Sequence, residues 1–228
     1  MKICIFTVAN RPYVKFAYAL YKSVRQFHTK CVYFECFLVN PETHNRFSRV
    51  KNDDKLILHN VAYNGNKEKI FSCHLRISLF KKLLEKDYNL VYWFDADTLI
   101  RKNLWDFFKS LYNYNIILWV QGKSQYKSGL IGINNNLKGK TFINNWNKIY
   151  NSKTKYIWQS DQKTLKTTIG KNKVKNKVKY NLLRGKNNKF FDLKFTNDSY
   201  IWVGKGNRKH LNKYKKYMNI VIKKKLNI

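Results

Sequence analysis

Acidic residues are scarce in this 228-residue chain: 13 Asp and Glu stand against 46 Lys and Arg, a net charge of +33 at pH 7. Proline occurs only as Pro12 and Pro41, and the 9 glycines form no run. There is therefore no Pro-rich or Gly/Ser-rich linker, and no segment repeats internally. The chain reads as one domain over 1–228, with 163–228 as its basic, less regular C-terminal part. No apolar stretch approaches the roughly 20 residues that span a bilayer. The opening Met1 to Val8 is too short for a signal h-region, and Asn10-Arg11-Pro12 follows without a small-residue cleavage site. A soluble, cytoplasmic protein is the expectation. Cys4, Cys31, Cys36 and Cys73 make no C-x-x-C pair and have no clustered His beside them. Zinc and a disulfide framework are disfavoured, and buried free thiols in a reducing compartment are expected.

What is present suffices for a core: 44% of residues are hydrophobic and 16% aromatic, which excludes wholesale disorder. The charge surplus is uneven, with 22 basic and 3 acidic residues in 151–228. Such a field attracts nucleic acid, anionic lipid or charged polysaccharide. Yet 38 of the 46 cations are Lys, alongside 28 Asn and 16 Tyr, residues with A/T-rich codons. Codon bias alone could produce that excess, and phosphate readers favour Arg forks as well as Lys. The charge points to an anionic neighbour without naming it.

Hydrophobic periodicity alternates in the first half. Residues 2–8 form a β-branched apolar run that stops at the turn Ala9-Asn10-Arg11-Pro12. Apolar spacings of 3 and 4 predict a helix over 13–27, followed by strands at 32–39 and 55–58. A long helix is predicted over about 67–86, with Ile70, Cys73, Ile77, Phe80 and Leu84 on one stripe, then a doubly buried strand at 89–94. Further on, a helix near 103–112, strands at 116–120 and 128–133, and a helix at 138–151 are expected. Residues 163–189 are Lys/Asn-rich and read as a solvated loop with one strand near 178–183. The order implies an α/β class with a largely parallel sheet.

The most informative stretch is Leu90-Val91-Tyr92-Trp93-Phe94-Asp95-Ala96-Asp97. A lone Asp-x-Asp is weak, but these two carboxylates lie just off the carboxyl end of the most buried strand, where open α/β sheets bind ligands. Two carboxylates about 4 Å apart repel by roughly 4 kcal/mol at an effective dielectric of 20. Solvation, protonation of one, or a shared cation relieves that cost. All-oxygen ligands in a short loop suit Mg²⁺ or Mn²⁺ bridged to a diphosphate. Arg76 borders the apolar stripe of its helix and needs an anionic partner there: an Asp of the pair, or a bound nucleotide.

Taken together, Arg76, the strand running into Phe94-Asp95-Ala96-Asp97-Thr98-Leu99-Ile100, and Asn103-Leu104-Trp105-Asp106-Phe107-Phe108 resemble the GT-A glycosyltransferases. Among them the chain is most similar to family 8, the type of glycogenin and the lipopolysaccharide galactosyl- and glucosyltransferases. Lys127-Ser128-Gly129-Leu130-Ile131-Gly132-Ile133-Asn134 resembles that family's F-N-S-G-x-x-x-x-N strand. Asp161-Gln162 resembles its D-Q-D, with Lys163 in the last place. Val203-Gly204-Lys205-Gly206-Asn207-Arg208-Lys209 resembles its H-x-x-G-x-x-K-P-W block. The resemblance covers about residues 2–212. It implies a GT-A fold with a Rossmann-like, mostly parallel sheet. It also implies retaining transfer of a sugar from a nucleotide-diphosphate donor, UDP-sugar favoured, to a hydroxyl on a glycan, lipid-linked or protein acceptor. On it, Ala9, Asn10 and Arg11 line the base pocket, Asp95 contacts ribose and metal, and Asp97 holds Mn²⁺ or Mg²⁺. Arg76, Asp161 and Gln162 serve the sugar side as catalytic residues, and Gly206 and Lys209 hold the diphosphate.

The chain departs from the pattern where the family's metal-binding His falls on Val203, which cannot ligate. A water completes the site, His210 substitutes from the next turn, or metal binding is weakened. Lys127 replaces the family's Asn. Three other readings are carried beside this one: a GT-A fold that only binds, a basic nucleic-acid-binding protein or nuclease, and a sugar nucleotidyltransferase. The nucleic-acid reading lacks any recognisable module and enough carboxylates for two metals, so no specific nucleic-acid partner is expected. The nucleotidyltransferase reading lacks a Gly-rich phosphate loop after the first strand. The basic C-terminal third suits peripheral contact with an anionic membrane or glycan.

Overall fold

A computed structural model describes residues 1–50, 52–121, 125–153, 157, 159–175, 178–184 and 190–226. In chain order the strands are β1 (Ile3–Asn10), β2 (Val32–Val39), β3 (Leu56–Val61), β4 (Leu90–Phe94), β5 (Thr98–Ile100), β6 (Ile116–Gln121), β7 (Gln125–Asn134), β8 (Tyr180–Arg184), β9 (Phe191–Asp192) and β10 (Ile201–Val203). The helices are α1 (Val14–Arg25), α2 (Glu68–Leu83), α3 (Trp105–Ser110), α4 (Leu137–Lys153), α5 (Ser160–Lys175) and α6 (Asn212–Lys223).

Seven strands form one sheet in the order β3-β2-β1-β4-β7-β6-β8, with only β7 running against its neighbours. The expected α/β, mostly parallel architecture is what the chain adopts. Successive side chains of β1 point to opposite faces. Ile3 and Ile5 pack with Ala17, Leu20 and Val24 of α1, whereas Cys4, Phe6 and Val8 pack with Ile77, Phe80 and Leu83 of α2 and with Phe142, Trp146 and Leu165 of α4 and α5. Each face thus has its own core, and β4, apolar at every position, is buried on both. Gly132 in β7 pairs with Tyr92, whose ring occupies the space a side chain would take. A second sheet, β5-β10-β9, lies just beyond β4, and α6 buries Tyr214, Met218 and Val221.

Two expectations are corrected. Residues 163–175, read as solvated loop, belong to α5, whose buried stripe is largely polar: Ser160, Asp161, Thr164, Thr168 and Asn172 accompany Leu165 and Ile169. The Trp146 indole N–H donates to Thr164 Oγ1 at 3.1 Å and Asn145 to Asn172 at 2.9 Å, so hydrogen bonds hold much of the stripe without apolar periodicity. The loop reading over 176–177 and 185–189 lies outside the described residues, while the strand expected near 178–183 is β8. Cys4 and Cys36 are buried free thiols as expected, but Cys31 is exposed and Cys73 half-buried.

His28 joins α1 to the start of α3: its Nε2 accepts the Leu104 N–H at 3.0 Å. Burial, reinforced by the Arg25 charge, pushes its pKa down from 6.5 to about 4. The unfolded chain therefore binds a proton that the folded one refuses. The contribution is intact above pH 6.5 and is lost as pH falls towards 4, costing about 3 kcal/mol in all. Chemical denaturation at pH 7 and pH 4.5 should show a smaller loss for His28→Gln than for the wild type; equal losses would remove His28 as the cause.

Candidate active site

The strand order reverses direction between β1 and β4, and the crevice outside their carboxyl ends is where such sheets place ligands. Here that crevice is a cleft of about 430 Å³. Val8, Asn10 and Tyr13 form one wall, Trp93, Asp95, Ala96 and Asp97 the floor, and Arg76 with Lys127 and Ser128 the far side. Gln159 and Gln162 enter from α5 and its approach, and Lys205, Gly206, Asn207 and Lys209 close the remaining edge.

Asp95 is fixed by local chain geometry. Its N–H donates to the Gly129 carbonyl at 3.0 Å, which extends the β4–β7 ladder by one residue. Its carbonyl accepts the Thr98 N–H at 3.0 Å, turning the chain into β5. The Trp93 indole N–H reaches Asp95 Oδ1 at 3.2 Å. A methyl group on Gly129 would sit 2.8 Å from Asp95 Oδ2. Gly129→Ala should therefore displace the carboxylate while costing about 1 kcal/mol of stability or less, since the group that yields is a side-chain end. Urea denaturation reads that cost; a loss of about 3 kcal/mol or more would show that the backbone, not the carboxylate, gives way.

Asp97 is 6% exposed. Burial and the nearby Asp95 charge push its pKa up to about 7, against the opposing pull of Lys209 and Lys205. Lys209 Nζ stands 4.0 Å from Asp97 Oδ2 and donates to the Tyr13 hydroxyl at 2.7 Å. The Asp97 carbonyl accepts both the Gly204 N–H at 2.7 Å and the Tyr214 hydroxyl at 2.8 Å. Gly204 is needed there, because a Cβ would meet Lys209, Asp97 and Tyr214 at 2.9–3.0 Å. Gly206, at φ +66°, occupies the left-handed region that glycine tolerates.

Arg76 lies at the back of the cleft, 3% exposed. Its partners are Asp161 at 3.3 Å, Asp95 at 3.6 Å, the Ser128 carbonyl at 2.5 Å, the Cys73 carbonyl, and the Trp93 ring 4.6 Å beneath the guanidinium. Asp161, at the start of α5 where a helix favours negative charge, has an Oδ2 that accepts no hydrogen bond and is held by the Arg76 charge alone. His74 stands 3.7 Å from Asp161, 2.7 Å from the Tyr150 hydroxyl and 3.4 Å from Ser160 Oγ. Burial lowers its pKa, so it serves as a neutral bridge between α2, α4 and the α5 N-terminus.

Of the residues singled out in the sequence, Asn10, Arg76, Asp95, Asp97, Gln162, Gly206 and Lys209 meet in the cleft. Asp161 sits behind it, reaching it through Arg76. Ala9 is packed in the core, and exposed Arg11 pairs with Glu42 at 2.5 Å in a neighbouring basic groove. His210 is exposed and does not line the cleft, and Val203 is buried in β10. Among the described residues no three His, Cys, Asp or Glu side chains cluster as a metal cage. Sequence reasoning missed Tyr13, His74 and Lys205; only its note that Lys127 replaces an Asn marked that residue out.

No family model matches the chain, and no curated protein does. Solved structures do. The apo form of the glycosyltransferase GlyE of Streptococcus pneumoniae TIGR4 is similar over 97% of this chain and 62% of its own, at 12% identity and a TM-score of 0.66. This chain thus spans under two thirds of GlyE. LgtC carrying an active-site Gln-to-Glu substitution is similar over 96% of this chain and 94% of its own, at 13% identity and 0.62. The galactosyltransferase LgtC in complex with donor and acceptor sugar analogues gives 14% identity and 0.60, over 96% and 95%. With these neighbours, and with its helix-flanked seven-stranded sheet, the chain has the GT-A fold.

Proposed function

We propose that this protein is a glycosyltransferase that moves a sugar from a nucleotide-diphosphate donor, a UDP-sugar in the first instance, to a hydroxyl on a glycan, lipid-linked or protein acceptor. The observation that carries the reading is the Asp95–Asp97 pair at the crevice between β1 and β4, with Lys209 facing it and Arg76 behind it. The pair fits a hard divalent cation: Asp97 is pushed up to about 7 because it is buried beside a second carboxylate, a deficit that a cation would relieve. Mg²⁺ or Mn²⁺ needs only one or two carboxylates when substrate phosphates and water supply the other oxygens. Asp95 and Asp97 would hold it. When bound, such an ion neutralises charge on the departing diphosphate.

The chain's own groups do the rest. Tyr13 and Asn10 border the nucleoside end of the cleft, and Gly206 with Lys205 and Lys209 receives the diphosphate. Lys209, steadied by Tyr13, offers a fixed positive charge where negative charge grows as the sugar–phosphate bond breaks. Arg76, anchored by Asp161, and Gln162 orient the sugar. The acceptor oxygen bonds to the anomeric carbon, and the diphosphate leaves with the electron pair of the old bond. The acceptor proton needs a base. Among the described lining residues there is no His and no carboxylate beyond Asp95 and Asp97. The departing diphosphate oxygen takes that proton as the old bond breaks, and the resemblance to family 8 implies that the anomeric configuration is retained.

Thermal melting with Mn²⁺ plus UDP, GDP, CDP or ADP in turn tests the reading, since a ligand that binds only the folded state raises Tm. One nucleotide should raise it, and only with metal. Flat curves for all four would leave a fold that has lost its donor site. Among the described residues no helix is long and apolar enough to cross a membrane. The basic C-terminal third still suits peripheral contact with an anionic surface, and salt should then release the protein from anionic vesicles.

A further inference from the structure

We propose that the sugar substrate carries an anionic group of its own, a carboxylate or a phosphate, and that Lys127 recognises it. The inference rests on the nucleotide-sugar reading and narrows it. The argument is one of charge in a confined space. Arg76 is answered by Asp161 and Asp95, and Lys209 stands at Asp97. A divalent ion held by Asp95 and Asp97 would balance those two carboxylates. The two negative charges of a bound diphosphate are then met by Lys209 and Lys205. Lys69, which also lines the cleft, has a partner, and Lys127 is left over.

Its surroundings make that surplus costly. Lys127 is half-buried in the cleft wall and has no carboxylate within ion-pair distance among the described residues. Burial and the repulsion of Lys205 both lower its pKa, while Lys205 also acts on Asp97. With Lys205 taken up by the diphosphate, an uncharged hexose would leave Lys127 without a counter-charge in the cleft. Position adds to this. Lys127 immediately precedes Ser128, whose carbonyl binds Arg76, and lies two residues before Gly129, whose carbonyl binds the Asp95 N–H. Its backbone therefore adjoins the groups that hold Arg76 and Asp95, on the side where the reading places the sugars. A lysine bringing its ammonium there suits a carboxylate or phosphate as a point charge.

Calorimetric titration with Mn²⁺ present distinguishes the source of the charge. One arm compares the glucose and glucuronate conjugates of the nucleotide that binds, UDP in the first instance. The other compares glucose with glucose 6-phosphate on protein already loaded with Mn²⁺ and that nucleoside diphosphate. In one arm the anionic compound should bind about tenfold tighter than its neutral counterpart. That ratio should fall below threefold in Lys127→Gln and be retained in Lys127→Arg. Ratios below threefold in both arms, with the nucleotide still binding, would overturn this proposal alone, as would a preference that persists in Lys127→Gln. Failure of all four nucleoside diphosphates to bind the wild type would overturn the nucleotide-sugar reading and this proposal with it.

Discussion

Replacing Asp97 by Asn should cost roughly a thousandfold in turnover while leaving the metal-free protein at least as stable as the wild type. Both halves follow from one fact. A carboxylate that is 6% exposed, next to Asp95, is held in a place that disfavours its charge. Asn has the same shape, keeps the backbone contacts to Gly204 and Tyr214, and brings no charge to bury. A gain of about 1–3 kcal/mol is the scale on which relieving a buried charge acts. Denaturation without metal reads the stability, and the loss of the Mn²⁺-dependent Tm rise with nucleotide reads the site. If Asp97→Asn kept that rise, the pair would not hold the ion. If it unfolded at lower denaturant than the wild type, Asp97 would be a structural residue instead.

Arg76→Met should behave in the opposite way and lower stability by about 3–5 kcal/mol, the usual cost of leaving a buried charge without its partner. Asp161 would keep its burial and lose the cation that compensates it, and the Ser128 carbonyl would lose its donor. Adding Asp161→Asn to Arg76→Met should restore about half of the loss, because the orphaned charge goes with it. A double-mutant cycle in urea measures this. A single-variant loss below 1 kcal/mol would mean that water enters behind the cleft and screens the pair.

Much of this arrangement was legible in the residue order. The parallel half of the sheet was visible because β1, β2 and β4 are predominantly apolar runs, interrupted only by Thr7, Asn10 and Glu35, as burial on both faces requires. Arg76 stood out because a guanidinium beside an apolar stripe requires an anion. Its partner proved to include Asp161, which sequence spacing could not connect to it across 85 positions. The Ser160-Asp161 start of a helix was visible, but the extent of α5 escaped notice because a helix that buries Thr168 and Asn172 through hydrogen bonds has no hydrophobic period to detect. The strands of the smaller sheet are two or three residues long, too short for alternation to show. His74 was hidden for a related reason. A histidine inside a helix carries no signal until its neighbours are known.

The link between Tyr13 and Lys209 joins positions 196 residues apart, and the loop holding Asp97 is tied to Tyr214 across 117. On a chain emerging from the ribosome, β1, β2 and β4 can pair long before either bond exists. The carboxylates would then be exposed on a nearly finished sheet with no lysine to meet them. Such a late-closing topology makes folding slow at its final stage. The cleft is therefore complete only once the segment carrying Lys209 and the helix carrying Tyr214 have packed against the sheet.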